Sequence, residues 1–310
     1  MKPENMFYDM KNFASKMLLL LATTHLCYSN SSPDFFLSKT LVDITKRESQ
    51  MKEQYSTDNI LRYEEIFGDG FVTVGGLKRA KKMFSLLKLQ AGQNVLDIGC
   101  GTGGACFYVA DNYDVSALGI DCSEAMIQIA KERASRQNNG VLIDFQLADI
   151  VEKEFPEVSF DVIYSRDVLV HIFDKTKLFE KTFSWLKPGG KLLISDYCIG
   201  EGKLSEGIKT YITQRQYDME TLCRYKELLE QAGFSDVIAQ DSTKEFVEEL
   251  QDELKKLESI KEEYIRKYSR EEYEKITTGW KNTIERCRSG EQRWGVFLAT
   301  KSENWPFQIF

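Results

Sequence analysis

The sequence predicts an α/β protein built on a doubly wound, mostly parallel, seven-stranded sheet. Between residues 94 and 195, short apolar segments alternate with segments of helical periodicity. This alternation is typical of the βαβ units that form parallel sheets. A glycine-rich turn at 99–104 follows the first apolar segment. Two later segments, 235–240 and 292–300, have the composition of strands, and we expect them to add an antiparallel edge.

The elements of the parallel part follow from the apolar pattern and the residues that interrupt it. We predict strands over 94–98, 115–120, 141–147, 160–165 and 190–195, and helices over 104–112, 123–136 and 175–186. The run Lys187-Pro188-Gly189-Gly190 is expected to end the last helix and to turn the chain into the fifth strand, because proline and glycine interrupt helices. A helix over 218–232 then leads to the late strands.

Helical segments also lie outside the sheet. Segments 58–67 and 77–87 precede the first strand, and the segment 244–288 is dense in Glu, Lys and Tyr at helical spacing. That composition predicts a solvated helical face or lid. We divide the chain into a helical N-terminal extension or domain remnant (1–50), a main domain (51–302) and a tail (303–310). Within the main domain we expect a lid over 51–75 and insertions at about 200–217 and 242–288.

Composition limits the kinds of partner. The chain has 310 residues and a net charge of −7, which argues against nucleic acid, since binding to phosphate backbones calls for a basic face. Its seven cysteines form no Cys-x-x-Cys pair, so we expect reduced thiols, a cytoplasmic location and no metal site. The apolar run Met17–Ala22 is too short to span a membrane. We expect a monomer that acts on a small molecule.

The glycine turn and the acids beyond it predict a nucleotide-like cofactor. Gly99, Gly101 and Gly104 fit the spacing of a dinucleotide site, so spacing alone leaves both NAD and S-adenosylmethionine open. Asp121 ends the second strand, where a carboxylate can bind a ribose. Asp149 ends the third strand, where a carboxylate can accept from an adenine amine. Together with Asp97, these acids favour S-adenosylmethionine, which would leave as S-adenosylhomocysteine.

These motifs resemble class I S-adenosylmethionine-dependent methyltransferases, which have a Rossmann-like fold. More narrowly, residues 53–301 resemble the phosphoethanolamine N-methyltransferases of nematodes, plants and malaria parasites, and the nematode type most. The resemblance rests on separated blocks of sequence: Glu53-Gln54-Tyr55, Tyr63 through Gly68, Gly75-Gly76-Leu77, Tyr164-Ser165-Arg166-Asp167 with His171, Asp196-Tyr197-Cys198, Tyr211 through Tyr217, Trp185 through Gly190, and Gly290 through Gly295.

Methyl transfer to an amine needs a base within hydrogen-bond reach, because the amine must lose a proton. His171 follows the fourth strand and lies where ligands bind in such sheets. The resemblance implies a catalytic pair of Tyr55 and His171, with Asp167 as an acidic neighbour. Asp167 paired only with Arg166 is the structural alternative.

The resemblance also implies two sets of binding residues. Those for S-adenosylmethionine are Val72, Thr73, Gly99, Asp121, Cys122, Asp149, Ile150 and Arg166. Those for substrate are Gln54, Tyr55, Tyr63, Asp167, Tyr197, Tyr211, Arg215 and Tyr217. Tyr211 and Arg215 are four residues apart, so they share one helical face. Aromatic rings suit a methylated ammonium, and Arg with Tyr hydroxyls suits a phosphate.

One position departs from the family pattern. Relatives carry a lysine three residues after the tryptophan of a late Gly-Trp pair, whereas here Gly279-Trp280 is followed by Thr283. The phosphate contact that this lysine makes falls to another residue, and Lys281 and Arg286 are the candidates.

The function implied is N-methylation of phosphoethanolamine, of its mono- and dimethyl derivatives, or of all three, on the route to phosphocholine and phosphatidylcholine. Nematode members divide these steps, and their late-acting type has a C-terminal catalytic domain, which favours the later two steps here. Two other readings stay open: a methyltransferase for another small acceptor such as a sterol or quinone, and a catalytically silent cofactor-binding module.

Overall fold

The computed structural model describes residues 56–136 and 142–303, all within the compact unit Tyr55–Phe310. Its helices are α1 (Thr57–Phe67), α2 (Gly76–Phe84), α3 (Gly104–Tyr113), α4 (Glu124–Arg136), α5 (Lys175–Trp185), α6 (Glu206–Arg215), α7 (Leu222–Gln231), α8 (Thr243–Ser259), α9 (Lys261–Lys267) and α10 (Arg270–Arg288). Its strands are β1 (Asn94–Ile98), β2 (Ser116–Asp121), β3 (Ile143–Leu147), β4 (Phe160–Arg166), β5 (Leu186–Ile199), β6 (Ser235–Asp241) and β7 (Gln292–Thr300).

The strands form one seven-stranded sheet in the order β3-β2-β1-β4-β5-β7-β6. Strands β1 to β5 run parallel, and β7 pairs antiparallel with both β5 and β6. The predicted doubly wound sheet with an antiparallel edge is therefore confirmed. Strand order reverses between β1 and β4, and ligands of open α/β sheets bind at the carboxyl ends of strands beside such a reversal.

The start of β5 differs from the prediction. Lys187-Pro188-Gly189-Gly190 was expected to precede the strand as a turn, but β5 already begins at Leu186. Leu186 pairs with Phe160 and Lys191 pairs with Val162, so the intervening residues bulge out of the ladder. One pairing with β4 therefore precedes the bulge, and the continuous ladder with β4 and β7 begins at Lys191.

Both faces of the sheet are buried, as alternation along each strand requires. On one face, α5 and α7 cover a core that includes Ile163, Phe179 and Leu229. The opposite core is larger, since α1, α8, α9 and α10 join α2, α3 and α4 there. Phe246 and Tyr264 are buried in that core. Inward-facing side chains of the insertion over 242–288 are thus part of the core.

Helix α1 is held between the sheet domain and this insertion. On one side, Glu64 is 4% exposed and forms a two-pronged ion pair with Arg133 of α4, at 2.6 and 2.7 Å. On the other side, Glu65 accepts hydrogen bonds from Lys267 and Tyr268, at 2.6 and 2.5 Å. Helix α1 therefore links α4 to the insertion over 242–288.

The described residues contain no helix that is long and apolar enough to cross a membrane. The predictions for 1–50, for Gln54 and Tyr55 and for most of the tail lie outside the described residues.

Candidate active site

The glycine turn connects β1 to α3 in a backbone conformation that residues with a side chain rarely adopt. Gly99, Gly101 and Gly103 have φ values of 73°, 55° and 90°. A Cβ at Gly99 would lie 2.2 Å from Cγ2 of Val168, whereas at Gly101 the nearest atom, Cγ2 of Val72, is 3.7 Å away. The turn is thus packed against the end of β4 and stays open at Gly101, which lets a ligand approach its backbone.

Asp121 joins this turn to the end of β2. Its carboxylate accepts hydrogen bonds from the backbone N–H of Gly101 at 2.9 Å and of Ser123 at 2.8 Å. Burial raises the pKa of Asp121, and these backbone donors oppose the rise. Each carboxylate oxygen keeps acceptor capacity for a further donor such as a ribose hydroxyl.

Asp149 lies beside Asp121, because Ala148 N–H donates to the carbonyl of Asp121 at 3.0 Å. Its side chain is exposed and accepts from Val151 N–H at 2.9 Å. Asp149 is two residues past the end of β3, so the prediction that it ends this strand is off by two positions. Ile150 is buried next to it, and Cys122 is exposed beside Asp121.

Asp97 in β1 is only 3% exposed. Its carboxylate accepts a weak hydrogen bond from the Cys106 thiol, at 3.6 Å. Burial raises the pKa of Asp97 to about 7, although the positive charge of Arg166 opposes the rise. Asp97 therefore titrates near neutral pH, and a positively charged ligand would favour its ionised form.

Arg166 anchors the segment that follows α1. Its guanidinium donates to the carbonyl of Gly76 at 2.9 Å and lies over the ring of Phe71. Val72 and Thr73 belong to the same segment, and Val72 faces Gly101. These contacts place the Arg166 side chain against Phe71 and the backbone of Gly76, so it holds Val72 and Thr73, which lie between them in sequence, beside the glycine turn.

Asp167 receives donors from three different elements. The hydroxyl of Thr73 donates at 2.5 Å, the indole N–H of Trp294 at 2.8 Å and the hydroxyl of Ser195 at 3.2 Å. The alternative of a local Arg166–Asp167 pair is not what the structure shows, since each residue has other partners. Asp167 has a φ of 58°, a left-handed conformation that directs the chain sharply at the end of β4.

Four predicted side chains form an aromatic cluster around Tyr217. The rings of His171 and Tyr211 pack edge to face against Tyr217, with ring centres 5.1 and 5.8 Å from its own. The ring of Tyr197 stacks parallel to that of Tyr217, with the ring centres 6.4 Å apart. Burial raises the pKa of Tyr197 well above its usual value, and the negative charge of Asp167 raises it further. Burial likewise raises the pKa of Tyr217, so the hydroxyls of Tyr197 and Tyr217 are neutral donors at physiological pH.

Positive charge lies at the far side of Tyr211. The guanidinium carbon of Arg286 is 3.7 Å from the centre of the Tyr211 ring. Arg215 is exposed at the end of α6, and its charge opposes the effect of burial, which raises the pKa of Tyr63. Lys281 is exposed. Of the two candidates for the missing lysine, the structure therefore brings Arg286 to the cluster.

The family model described as "Methyltransferase domain" matches residues 89–270. Phosphoethanolamine N-methyltransferase 1 of Arabidopsis thaliana is 49% identical over 80% of this chain and 50% of its own length. Phosphoethanolamine N-methyltransferase of Plasmodium falciparum is 38% identical over 80% of this chain and 94% of its own length. The chain belongs to the phosphoethanolamine N-methyltransferase family.

The fold of this family is also seen in a solved structure. Phosphoethanolamine N-methyltransferase 2 of Haemonchus contortus, in complex with phosphomonomethylethanolamine and S-adenosylhomocysteine, is 34% identical with a TM-score of 0.79. The match covers 83% of this chain and 60% of that one. The chain spans about half the length of the curated plant relatives it matches. Its Rossmann-like methyltransferase fold is confirmed.

The sequence did not identify two residues near the centre of the site in this chain, Trp294 and Gln292, as individual site residues. Trp294 holds Asp167, and Gln292 accepts a hydrogen bond from Arg286 Nε at 2.9 Å. Both lie in the Gly290–Gly295 block, which carries part of the family resemblance but does not by itself indicate the role of each residue. The described residues contain no group of three or more His, Cys, Asp or Glu side chains that could hold a metal ion.

Proposed function

We propose that the chain transfers methyl groups from S-adenosylmethionine to a phosphobase, giving phosphocholine for phosphatidylcholine synthesis. The observation that carries this proposal is the order of side chains in the site: the Asp167 carboxylate, then the aromatic cluster, then Arg286 against the ring of Tyr211. A phosphobase has a cationic nitrogen at one end and an anionic phosphate at the other. The charges of the site are arranged to match such a molecule.

The two ends of the site suit different groups. Aromatic rings attract a cationic ammonium through their faces, and this attraction does not depend on N–H donors, so it persists as methyl groups are added. Arginine binds phosphate by charge-assisted hydrogen bonds. A sterol or quinone acceptor carries no phosphate and would leave the positive charge of Arg286 without an anionic ligand, which is why we place these acceptors second.

The residues around the glycine turn fit S-adenosylmethionine. Asp121 would take the ribose and Asp149 the adenine amine, Asp97 would face the methionine ammonium, and Gly101 leaves room for the backbone approach. Val72, Thr73, Gly99, Cys122 and Ile150 would line the remainder of the site. When bound, S-adenosylmethionine supplies a methyl group on a sulfonium, so positioning of the acceptor accounts for most of the rate increase.

His171 is the base that we propose for the acceptor amine. It lies in a short 3₁₀ helix after β4, and the ring of Tyr217 limits its orientation. Asp167 already accepts three hydrogen bonds, so we assign it the role of a negative charge beside the ammonium and not that of a base. Tyr55 would close the site from the lid, as the resemblance implies. Intact Asp167 and His171 argue against a silent module.

We place this chain at the later methylation steps. The complex of the Haemonchus relative contains phosphomonomethylethanolamine, the product of the first step and the acceptor of the second. We further propose that the enzyme works in the cytosol as a monomer, with residues 51–302 as its catalytic domain.

A direct assay tests the function. Purified protein is incubated with labelled S-adenosylmethionine and, separately, with ethanolamine, phosphoethanolamine and its mono- and dimethyl derivatives. We expect transfer to the phosphorylated bases and none to ethanolamine. Transfer to none of the phosphobases would overturn the proposal, and transfer to phosphoethanolamine as well would extend it to the first step.

A further inference from the structure

We infer that Arg286 and Gln292 together form a phosphate-binding pair that replaces the missing lysine. This inference rests on the proposed function, because it names the residues that receive the phosphate of the same substrate. Neither residue belongs to the set that the family pattern assigns to substrate. Arg286 lies near the end of α10, and Gln292 is the first residue of β7.

The guanidinium of Arg286 is held in place by neutral groups. Its Nε donates to the Gln292 amide oxygen and its Nη2 to the Thr283 hydroxyl, both at 2.9 Å, while its plane lies over the Tyr211 ring. These two bonds leave the Nη1 hydrogens unused. Among the described residues Arg286 forms no ion pair, so no carboxylate contact neutralises its charge. Glu291, which is within electrostatic reach, accepts from Ser205 N–H instead.

Gln292 supplies the second observation. Its side chain is 0% exposed, and its Nε2 amide has no hydrogen-bond partner among the residues that the structure describes. A buried N–H donor without a partner is costly, and native proteins rarely leave one unpaired. Since the other end of this amide already accepts from Arg286, an oxyanion bound by Arg286 would also come within reach of Nε2.

Thr283 explains how the exchange of a lysine for a threonine leaves the site cationic. A threonine at this position is too short to reach a ligand as a lysine does, but its hydroxyl orients the guanidinium of Arg286, one turn further along α10. Arginine presents a planar pair of N–H donors that matches two phosphate oxygens, whereas lysine offers a single ammonium. The pair is therefore expected to prefer a phosphate monoester over a carboxylate or a neutral group of similar size.

Three variants of the full chain test the pair. Arg286→Gln removes the charge. Gln292→Glu keeps an acceptor for Arg286 but replaces the unpaired N–H donor with a carboxylate oxygen. Arg288→Gln is the matched control, because Arg288 is exposed two residues away and pairs with Glu285. For each variant we measure KM and kcat with phosphomonomethylethanolamine, and the Kd values of phosphocholine and S-adenosylhomocysteine by calorimetry.

We expect Arg286→Gln and Gln292→Glu to raise KM and the phosphocholine Kd at least about tenfold, which is typical of a lost charge-assisted hydrogen bond. S-adenosylhomocysteine affinity should stay within about twofold. Arg286→Lys should recover part of the lost phosphocholine affinity, and Arg288→Gln should behave like the wild type. Weakening of both ligands in parallel, or an unchanged phosphocholine Kd in Arg286→Gln, would overturn the inference.

The failure of this inference can be told apart from the failure of the proposed function. Phosphocholine binding is measured without turnover, so it reports on the phosphate pair even if the wild-type protein methylates no phosphobase. If the wild type is active and its phosphocholine affinity does not depend on Arg286, the function stands and the assignment of this pair is wrong.

Discussion

His171 contributes to the site through its position, since it lies in a short 3₁₀ helix and its ring contacts Tyr217 edge to face. We expect His171→Ala to lower kcat about 10²- to 10⁴-fold, the range for loss of a general base. S-adenosylhomocysteine affinity should change little. Steady-state kinetics and calorimetry on the same preparation check this. An equal loss of kcat and cofactor affinity in His171→Ala would show a structural role.

Asp97 makes stability depend on pH. Its pKa is about 7 in the folded state against an ordinary value of 3.8, so the folded protein binds the proton more tightly than the unfolded one. The free energy of unfolding therefore falls as pH rises from about 4 to 7, and it is flat above that range. We expect this pH dependence of stability in the ligand-free protein, because a cation bound beside Asp97 would favour the charged form of its carboxylate.

Asp97→Asn removes this titration. We expect the ligand-free variant to be more stable than the wild type at pH 8, on the order of 2–4 kcal/mol, with the difference disappearing near pH 4. At pH 8 the variant should also bind S-adenosylmethionine more weakly. Chemical denaturation at several pH values measures the first effect and calorimetry the second. A stability difference that is the same at pH 4 and pH 8 would contradict this assignment.

The residues that sequence reasoning could identify were those next to a recognisable local pattern. Asp121 ends β2, Asp149 follows β3 and His171 follows β4, so their positions at one sheet edge could be inferred from the topology. The roles of Arg286 and Gln292 could not be inferred in this way. They depend on a contact between α10 and Tyr211 of α6, and no spacing along the chain encodes which face of one helix meets another.

At the scale of elements, helix α1 matters because its buried acid reaches the glycine turn. Glu64 accepts from the Thr102 hydroxyl at 2.5 Å and from Gly70 N–H at 2.9 Å, in addition to its pair with Arg133. Burial alone would raise the pKa of Glu64, but Arg133 and Thr102 hold it below its usual value. Helix α1 and the glycine turn are therefore joined through one carboxylate.

Glu64→Gln should loosen this connection. We expect a loss of about 2 kcal/mol in stability, as for a hydrogen bond to a buried charge, together with a higher KM for S-adenosylmethionine. Glu65→Gln is the matched control on the same helix, because Glu65 pairs with the more exposed Lys267, and we expect at most about 1 kcal/mol there. Thermal melts measure the change in stability, and steady-state kinetics with varied S-adenosylmethionine measure its KM. A KM that rises no more in Glu64→Gln than in Glu65→Gln would contradict the proposed link between α1 and the glycine turn.

The helices and strands were predictable to within a few residues wherever local preference and tertiary pairing agree. The exception at Lys187–Gly190 shows the reason: proline and glycine favour a turn, but Leu186 already pairs with Phe160 of β4, so the strand begins before the bulge. Strand pairing depends on residues that are distant in sequence, so a short stretch of neighbouring residues does not predict it. The same limit applies to α8, α9 and α10: their polar composition predicted a solvated helical face or lid, and it did not indicate which side chains pack into the core.

At the scale of the whole molecule, the site is assembled by contacts that cross the core. Thr73 before α2, Ser195 of β5 and Trp294 of β7 all donate to Asp167, and Phe246 of α8 stacks on Trp294 at 5.6 Å. The segment before α2, two strands and the insertion thus converge on one carboxylate. A ligand that orders the glycine turn should therefore affect elements distant from it in sequence.

Hydrogen–deuterium exchange with and without S-adenosylhomocysteine tests this coupling. We expect slower exchange in the glycine turn, in the residues after β2 and β3, and also in α1 and at 70–76, because Gly104 N–H donates to the carbonyl of Gly70 at 3.1 Å and Glu64 contacts Thr102. Strand β6, at the far edge of the sheet, is the internal control and should not change. In Glu64→Gln the protection of α1 should shrink while that of the turn remains. Protection confined to the turn in the wild type would mean that the lid closes independently of the cofactor.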